Sequence, residues 1–338
     1  MISLLKLFAL TLLVGSNTSY WGHTYLAQDG DKFYALRSTS KESSLCTFGR
    51  EELKGRRGLI QVATAKIPME EFSTEGKESC HITLLDREAV VSDYTSGTLS
   101  LYPLDEKGNV AGDVRLLHFS GSGPHPTRQK SSHIHSSALS PNGRMLAVVD
   151  LGTDRIYFYA VRDGRVVEPY MHSVSLPAGC GPRFSTFSAN GNYLYVVTEL
   201  SDEVMVLRTS DFALINKYPL HTANPEGGAH IALSPNGKYL YASLRVSRTA
   251  KASQCNISDG IAIYKCYDNG ALKKMYYLPT GAHPRHFALA ANGAALIVAC
   301  RDSNSIEIYP LEIASGLPKG EVEKIPVNAP VYVGVVKR

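Results

Sequence analysis

Four short segments with one pattern limit what this chain can fold into: Ser140-Pro141-Asn142-Gly143, Ser188-Ala189-Asn190-Gly191, Ser234-Pro235-Asn236-Gly237 and Ala290-Ala291-Asn292-Gly293, each followed by an apolar run. Asn-Gly between alternating apolar segments is a strong signal for a tight β-hairpin, with both central turn positions expected at positive φ. The asparagines are 48, 46 and 56 residues apart, close to the roughly 40–50 residues of a four-stranded propeller blade. Across 338 residues that period allows roughly seven units, within the usual range for propellers. The expectation is an all-β, seven-bladed β-propeller forming one domain over residues 1–338.

Strands recur after each turn, as in Arg155–Tyr159, Val204–Leu207, Gly260–Tyr264 and Ser305–Tyr309, apolar runs rich in β-branched residues and tyrosine. No segment reads as a long helix. Gln28-Asp29-Gly30-Asp31 is a degenerate copy of the turn, and Leu84-Leu85-Asp86-Arg87 is another that has lost its glycine. Residues 40–77 are charged and irregular and read as outer strands with long loops; residues 120–132 read as a loop. The closing blade is expected to be incomplete, with Leu12-Leu13-Val14-Gly15-Ser16 pairing with Val331-Tyr332-Val333. The competing reading of Leu7 to Val14 is the apolar core of a signal peptide. The expected location is cytoplasmic in the first case and secreted in the second.

The net charge of +4 is mild and its basic residues are scattered, so neither nucleic acid nor a membrane surface is expected as a partner. The six cysteines, at 46, 80, 180, 255, 266 and 300, contain no C-x-x-C pair, which argues against a zinc site. A Cys255–Cys266 disulfide is expected only for a secreted protein. His133-Ile134-His135 could suggest metal ligation, but no third ligand stands at a telling spacing. No metal and no cofactor are expected.

Counting from each turn asparagine locates the chemistry. Seven residues before it stand His135, Arg183, Ala229 and Arg285, and nine after it stand Leu151, Glu199, Arg245 and Arg301. In a four-stranded meander both positions lie at the disk face opposite the Asn-Gly hairpins. His135, Arg183, Glu199, Arg245 and Arg285 should therefore converge, with His133, His230, His286 and Asp150 nearby. Guanidiniums against few carboxylates make an anion site, and a histidine can move protons near neutral pH. Base and cation together suit ester hydrolysis.

The ordered motifs Ser132-His133-Ile134-His135-Ser136, Asp150-Leu151-Gly152-Thr153-Asp154-Arg155, Gly181-Pro182-Arg183, Thr198-Glu199-Leu200-Ser201, Leu244-Arg245 and His283-Pro284-Arg285-His286-Phe287 resemble the lactonase family of seven-bladed β-propellers. That family includes bacterial-type 6-phosphogluconolactonase and carboxy-muconate lactonizing enzyme. The resemblance covers residue 78 to the C-terminus. It implies catalytic roles for His135, Arg183, Glu199 and Arg245. His135 or Glu199 is expected as the base, and the residues that the count places around them, Arg285, His133, His230 and His286, are expected to bind substrate. This sequence departs from the family pattern at Phe184, where a histidine is usual, at Leu244, and in its short first blade.

The implied activity is opening of 6-phosphogluconolactone in carbohydrate metabolism, with a small anionic lactone as partner, and either a monomer or a homo-oligomer. Two alternatives are a muconate cyclase using the same residues and a non-catalytic binding propeller. The last is weakened by the absence of Gly-His and Trp-Asp repeat pairs; Trp21 is the sole tryptophan.

Overall fold

The computed structural model describes residues 11–16, 22–38, 42–53, 58–61, 69–221, 226–246 and 257–336. Trp21, Cys255 and residues 7–10 of the N-terminal apolar run lie outside the described residues, so the disulfide and signal-peptide expectations fall partly or wholly there.

Among the described residues the strands form seven sheets, all but one antiparallel throughout. A representative sheet runs Ile134–Leu139, Met145–Asp150, Arg155–Arg162, Arg165–Ser175, each strand paired with the next. Its first strand lies innermost, and the innermost strands of the seven sheets touch their neighbours in a closed circuit. The architecture is a β-propeller.

Alternation explains the ring. In each middle strand the residues facing opposite ways are both buried, because a sheet lies on either side. Val148 packs toward Leu99 and Leu101 of the preceding sheet, while Ala147 and Val149 pack toward Leu194 and Val196 of the following one. Seven apolar clusters result, each between two adjacent sheets. The core is thus distributed around the ring, and the axis is left for other side chains.

The smallest sheet joins the two ends of the chain. Thr11–Ser16 pairs antiparallel with Pro330–Val335, in the register Val14↔Val333, as expected for the closing strand. Gly58–Gln61 adds a parallel third strand on its other edge. Leu12 and Val14 are buried against one neighbouring sheet and Leu13 against the other. Burial on both faces accounts for the continuous apolar run of Leu12, Leu13 and Val14.

The hairpins differ from the expected turn. Gly143, Gly191, Gly237 and Gly293 have φ between 69° and 74°, but no turn asparagine is at positive φ. Instead Gly143 N–H donates to Ser140 C=O at 2.8 Å, and Asn142 Oδ1 accepts from Ser140 Oγ and Arg144 N–H at 2.8 and 3.1 Å. Pro141 sets φ near −65° at the first central position, which forbids the doubly positive turn and favours type I followed by a left-handed glycine.

Candidate active site

The four clear units share one backbone hydrogen bond at the end of the disk away from the Asn-Gly turns. Leu151, Glu199, Arg245 and Arg301 N–H donate to His133, Gly181, Gly227 and His283 C=O, at 2.7 to 3.0 Å. This bond places the residue nine after each asparagine beside the start of the innermost strand. Glycine is required where the backbones approach most closely: a Cβ on Gly227 would fall 1.5 Å from Arg245 O, and one on Gly228 2.0 Å from Thr198 O.

A cavity of about 480 Å³ opens there, and its lining includes His135, Arg183, Glu199, Arg245, Arg285 and His286, with Phe184, Tyr94, Cys80 and Arg128. Glu199 is the hub. Its Oε2 accepts from Arg183 Nε at 2.7 Å and forms an ion pair with Arg245 Nη2 at 3.0 Å, and its Oε1 pairs with Arg128 Nη2 at 2.7 Å. Burial alone would raise the Glu199 carboxyl, but Arg245, Arg183 and Arg128 outweigh it and hold it well below the usual range. Arg183 also donates Nη1–H to Ala229 C=O at 2.6 Å, and Arg245 reaches the Gly227 and Gly228 carbonyls at 3.2 and 3.3 Å.

Two side chains are poised differently. His135 is kept neutral: burial, then Arg183, lowers its pKa well below 6.5. Its Nδ1 lies 4.0 Å from Cys80 Sγ. Arg285 makes no hydrogen bond or ion pair among the described residues, and burial followed by the neighbouring Arg245 lowers its pKa to about 10, so it stays charged at neutral pH. Four guanidiniums thus face two carboxylates, Glu199 and Glu78, around one cavity. The arrangement suits an anionic ligand with a carbonyl to polarise.

The remaining sequence candidates separate. His133 does not line the cavity; its ring stacks on Tyr94 at 4.4 Å and its Nδ1 meets Tyr94 C=O at 2.9 Å. Strand alternation does not carry it inward, because a bulge interrupts the register between Ile134 and Ser136. Asp150 is buried and accepts from Ser132 Oγ, His133 N–H and Gly152 N–H at 2.7 to 3.0 Å, so it shapes a turn. Arg301 turns to Asp302 at 2.7 Å. Among the described residues no cluster of three metal-ligating side chains occurs.

His230 belongs to a layer beneath the cavity. Tyr25, His81, Phe184, His230, His286 and Tyr332 form a closed circuit of rings, with successive centroids 4.4, 5.2, 4.9, 4.0, 4.3 and 4.8 Å apart. Each ring comes from the innermost strand of a different sheet. Burial lowers His81 and His286 to about 3, so the layer is uncharged. Below it lies a second cavity of about 330 Å³, lined by His230, His286, Tyr25 and Tyr332 among others. Phe184, at a position where the resemblance leads to a histidine, is part of this floor.

Cys80, Tyr94 and Arg128 are among the lining residues that escaped the sequence count. In the unit at residues 79–118 the hairpin is shorter, with only Asp86 and Arg87 between the paired Leu85 and Glu88. Pairing rather than counting makes Cys80 the equivalent of His135 and Tyr94 that of Leu151, since Ser79↔Asp93 matches Ile134↔Asp150. Arg128 projects from the loop before Ile134 and no repeat position predicts it.

The family profile described as "Lactonase, 7-bladed beta-propeller" matches residues 13–335. A 6-phosphogluconolactonase of Formosa agariphila is 32% identical over 263 residues, covering 74% of this chain and 70% of that protein. The Bacillus subtilis 6-phosphogluconolactonase is 26% identical over 253 residues, 72% of this chain and 68% of that one. A Bacteroides fragilis protein crystallised as a candidate 6-phosphogluconolactonase superposes with a TM-score of 0.82 at 29% identity, over 97% of this chain and 98% of its own. The periplasmic gluconolactonase of Pseudomonas aeruginosa shares the fold, with a TM-score of 0.79 at 22% identity, over 97% of this chain and 99% of its own. On its near full-length profile match and its 32% identity to a curated relative, this chain belongs to the lactonase family of 7-bladed β-propellers.

Proposed function

We propose that this protein is a lactone hydrolase that opens 6-phosphogluconolactone to 6-phosphogluconate. The observation that carries the choice of an anionic lactone is the excess of guanidiniums, Arg285 unpaired among them, around a neutral histidine in one cavity. His135 is the base. It takes a proton from water as the water oxygen attacks the lactone carbonyl, and returns it to the ring oxygen when the carbon–oxygen bond breaks. Glu199 is unsuited to that step, because both its oxygens already accept from arginines; its work is to hold Arg183 and Arg245 toward the developing oxyanion. Arg285 supplies charge for the substrate phosphate.

The test is hydrolysis of 6-phosphogluconolactone, followed by coupled oxidation of the product and corrected for the spontaneous rate. Wild type should exceed that rate and Arg183→Ala should return to it. Equal rates with and without wild-type protein would refute the assignment.

Three structural points belong to the same proposal. The three-stranded sheet serves as the seventh blade, supported by the buried Leu12, Leu13 and Val14, and residues 1–338 form one domain. The pairing of Thr11–Ser16 with Pro330–Val335 is the observation that favours the cytoplasmic reading over the secreted one.

A further inference from the structure

Both oxygens of Glu199 trace back, through short hydrogen-bonded paths, to a single buried carboxylate on the preceding sheet. Asp154 stands in the turn before Arg155–Arg162, at φ 53° and 4% exposed. Its Oδ1 accepts from Gly181 N–H at 2.7 Å, from Gln129 Nε2 at 2.8 Å and from the Cys180 thiol at 3.4 Å, and its Oδ2 accepts from Gly179 N–H at 2.7 Å. Gly181 precedes Arg183 by two residues, and its carbonyl accepts from Glu199 N–H at 2.7 Å. Gln129, fully buried, follows Arg128 directly; it also donates to Leu151 C=O and accepts from His125 N–H.

The position recurs twelve residues after the turn asparagine. Asp202 accepts from Glu226, Gly227 and Gly228 N–H at 2.6 to 2.7 Å, and Asn304 Oδ1 accepts from Ala329 N–H at 2.9 Å. All three residues have left-handed φ, between 49° and 53°, and each ties its sheet to the start of the next. Asn304 clamps a strand that begins Pro330-Val331 and bears no arginine. Of the three, Asp154 is joined by the side chain of a loop residue next to a site arginine.

We propose that Asp154 is a positioning residue that holds Arg128 and Arg183 in mutual register on the two oxygens of Glu199, so that loop and strand act as one unit. Its catalytic consequence rests on the function proposed above. A carboxylate accepts four donors at once, whereas asparagine must turn an N–H₂ toward some of them, so Asp154→Asn should be nearly as damaging as Asp154→Ala.

The experiment compares Asp154→Ala and Asp154→Asn with Asn304→Ala, which opens the equivalent clamp away from the arginines. Hydrogen exchange read by mass spectrometry should show both Asp154 variants exchanging faster over residues 121–132 and 179–185, and Asn304→Ala unchanged there. On 6-phosphogluconolactone, at a temperature where all variants are folded, the Asp154 variants should lose about 10- to 100-fold in kcat/KM, the scale of a small misplacement of catalytic groups. Asn304→Ala should stay within about twofold, and Arg128→Ala should cost less in the Asp154→Ala background than in wild type. Unchanged exchange in the two segments overturns the proposal, as does an equal activity loss in Asn304→Ala or full multiplicativity of the Arg128 and Asp154 effects. Inactive wild type with the expected exchange pattern would instead reject the assigned function and leave the clamp established.

Discussion

Replacing Glu199 by glutamine keeps the shape of the hub and removes its charge. The carboxylate meets Arg183 and Arg245 at 2.7 and 3.0 Å with side chains only 3%, 9% and 7% exposed for Arg183, Arg245 and Glu199 respectively. Arg128 is 38% exposed, so solvent screens its share. Removing one partner of a buried pair costs about 3–5 kcal/mol, because the other charges stay buried and uncompensated. With an unfolding entropy of about 2.1 cal/mol/K per residue, 338 residues make that loss a fall of roughly 4–7 °C in Tm.

The pH dependence carries the sharper signature. The folded carboxyl lies below its ordinary value of 4.5, so its contribution is complete above that pH and is lost as pH falls toward the folded value. The gap between wild type and Glu199→Gln should be constant from pH 8 to 5, then narrow by about 1.4 kcal/mol per pH unit. Denaturant unfolding at several pH values measures it. A gap below about 1 kcal/mol at pH 7, or one that widens on acidification, would refute the view that Glu199 is an ionised, arginine-clamped hub.

Three further outcomes are expected. Because burial and Arg183 keep His135 neutral, the pH profile of kcat/KM should stay flat well below pH 6.5, and His135→Asn should lower kcat by about 10²–10⁴; an acid limb centred near 6.5 would count against His135 as the base. Arg128→Ala should raise KM about fivefold with a smaller change in kcat, the scale of one screened charged contact, and an unchanged KM would remove Arg128 from the site. Burial pushes the Cys80 thiol up to about 12, so peptide mapping after iodoacetamide at pH 8 should find Cys80 largely unlabelled; labelling at the rate of a free thiol would show that the cavity is more open than described.

Much of this was legible in the residues, and the failures are instructive. The Asn-Gly period located the repeat because one turn geometry recurs, with Ser140, Ser188 and Ser234 each bonded to an asparagine Oδ1 at 2.7 or 2.8 Å. Counting from it brought His135, Arg183, Glu199, Arg245 and Arg285 to one cavity. The count lost Cys80 and Tyr94 because a hairpin in another unit is shorter, which shifts every later position without altering the pairing. His133, expected near the site on the same strand side as His135, is turned away because a bulge breaks the alternation between Ile134 and Ser136. Arg128 was invisible because its position depends on Gln129 and Asp154, contacts 25 residues apart in sequence. The repeat position at Asp154, Asp202 and Asn304 was present in the sequence but mixes aspartate with asparagine, and its purpose shows only in the bonds it makes to the next sheet.

The circuit of rings under the cavity makes the molecule a flask and not a pipe. With Tyr25 and Phe184 also 6.3 Å apart across it, the floor stands between the site cavity and the second cavity. On the proposed reaction, substrate, water and the ring-opened acid share the space above that floor. The acid carries one more negative charge than the lactone, and under the proposed function it leaves past the same guanidiniums that would draw the lactone in, which couples turnover to how fast the product clears.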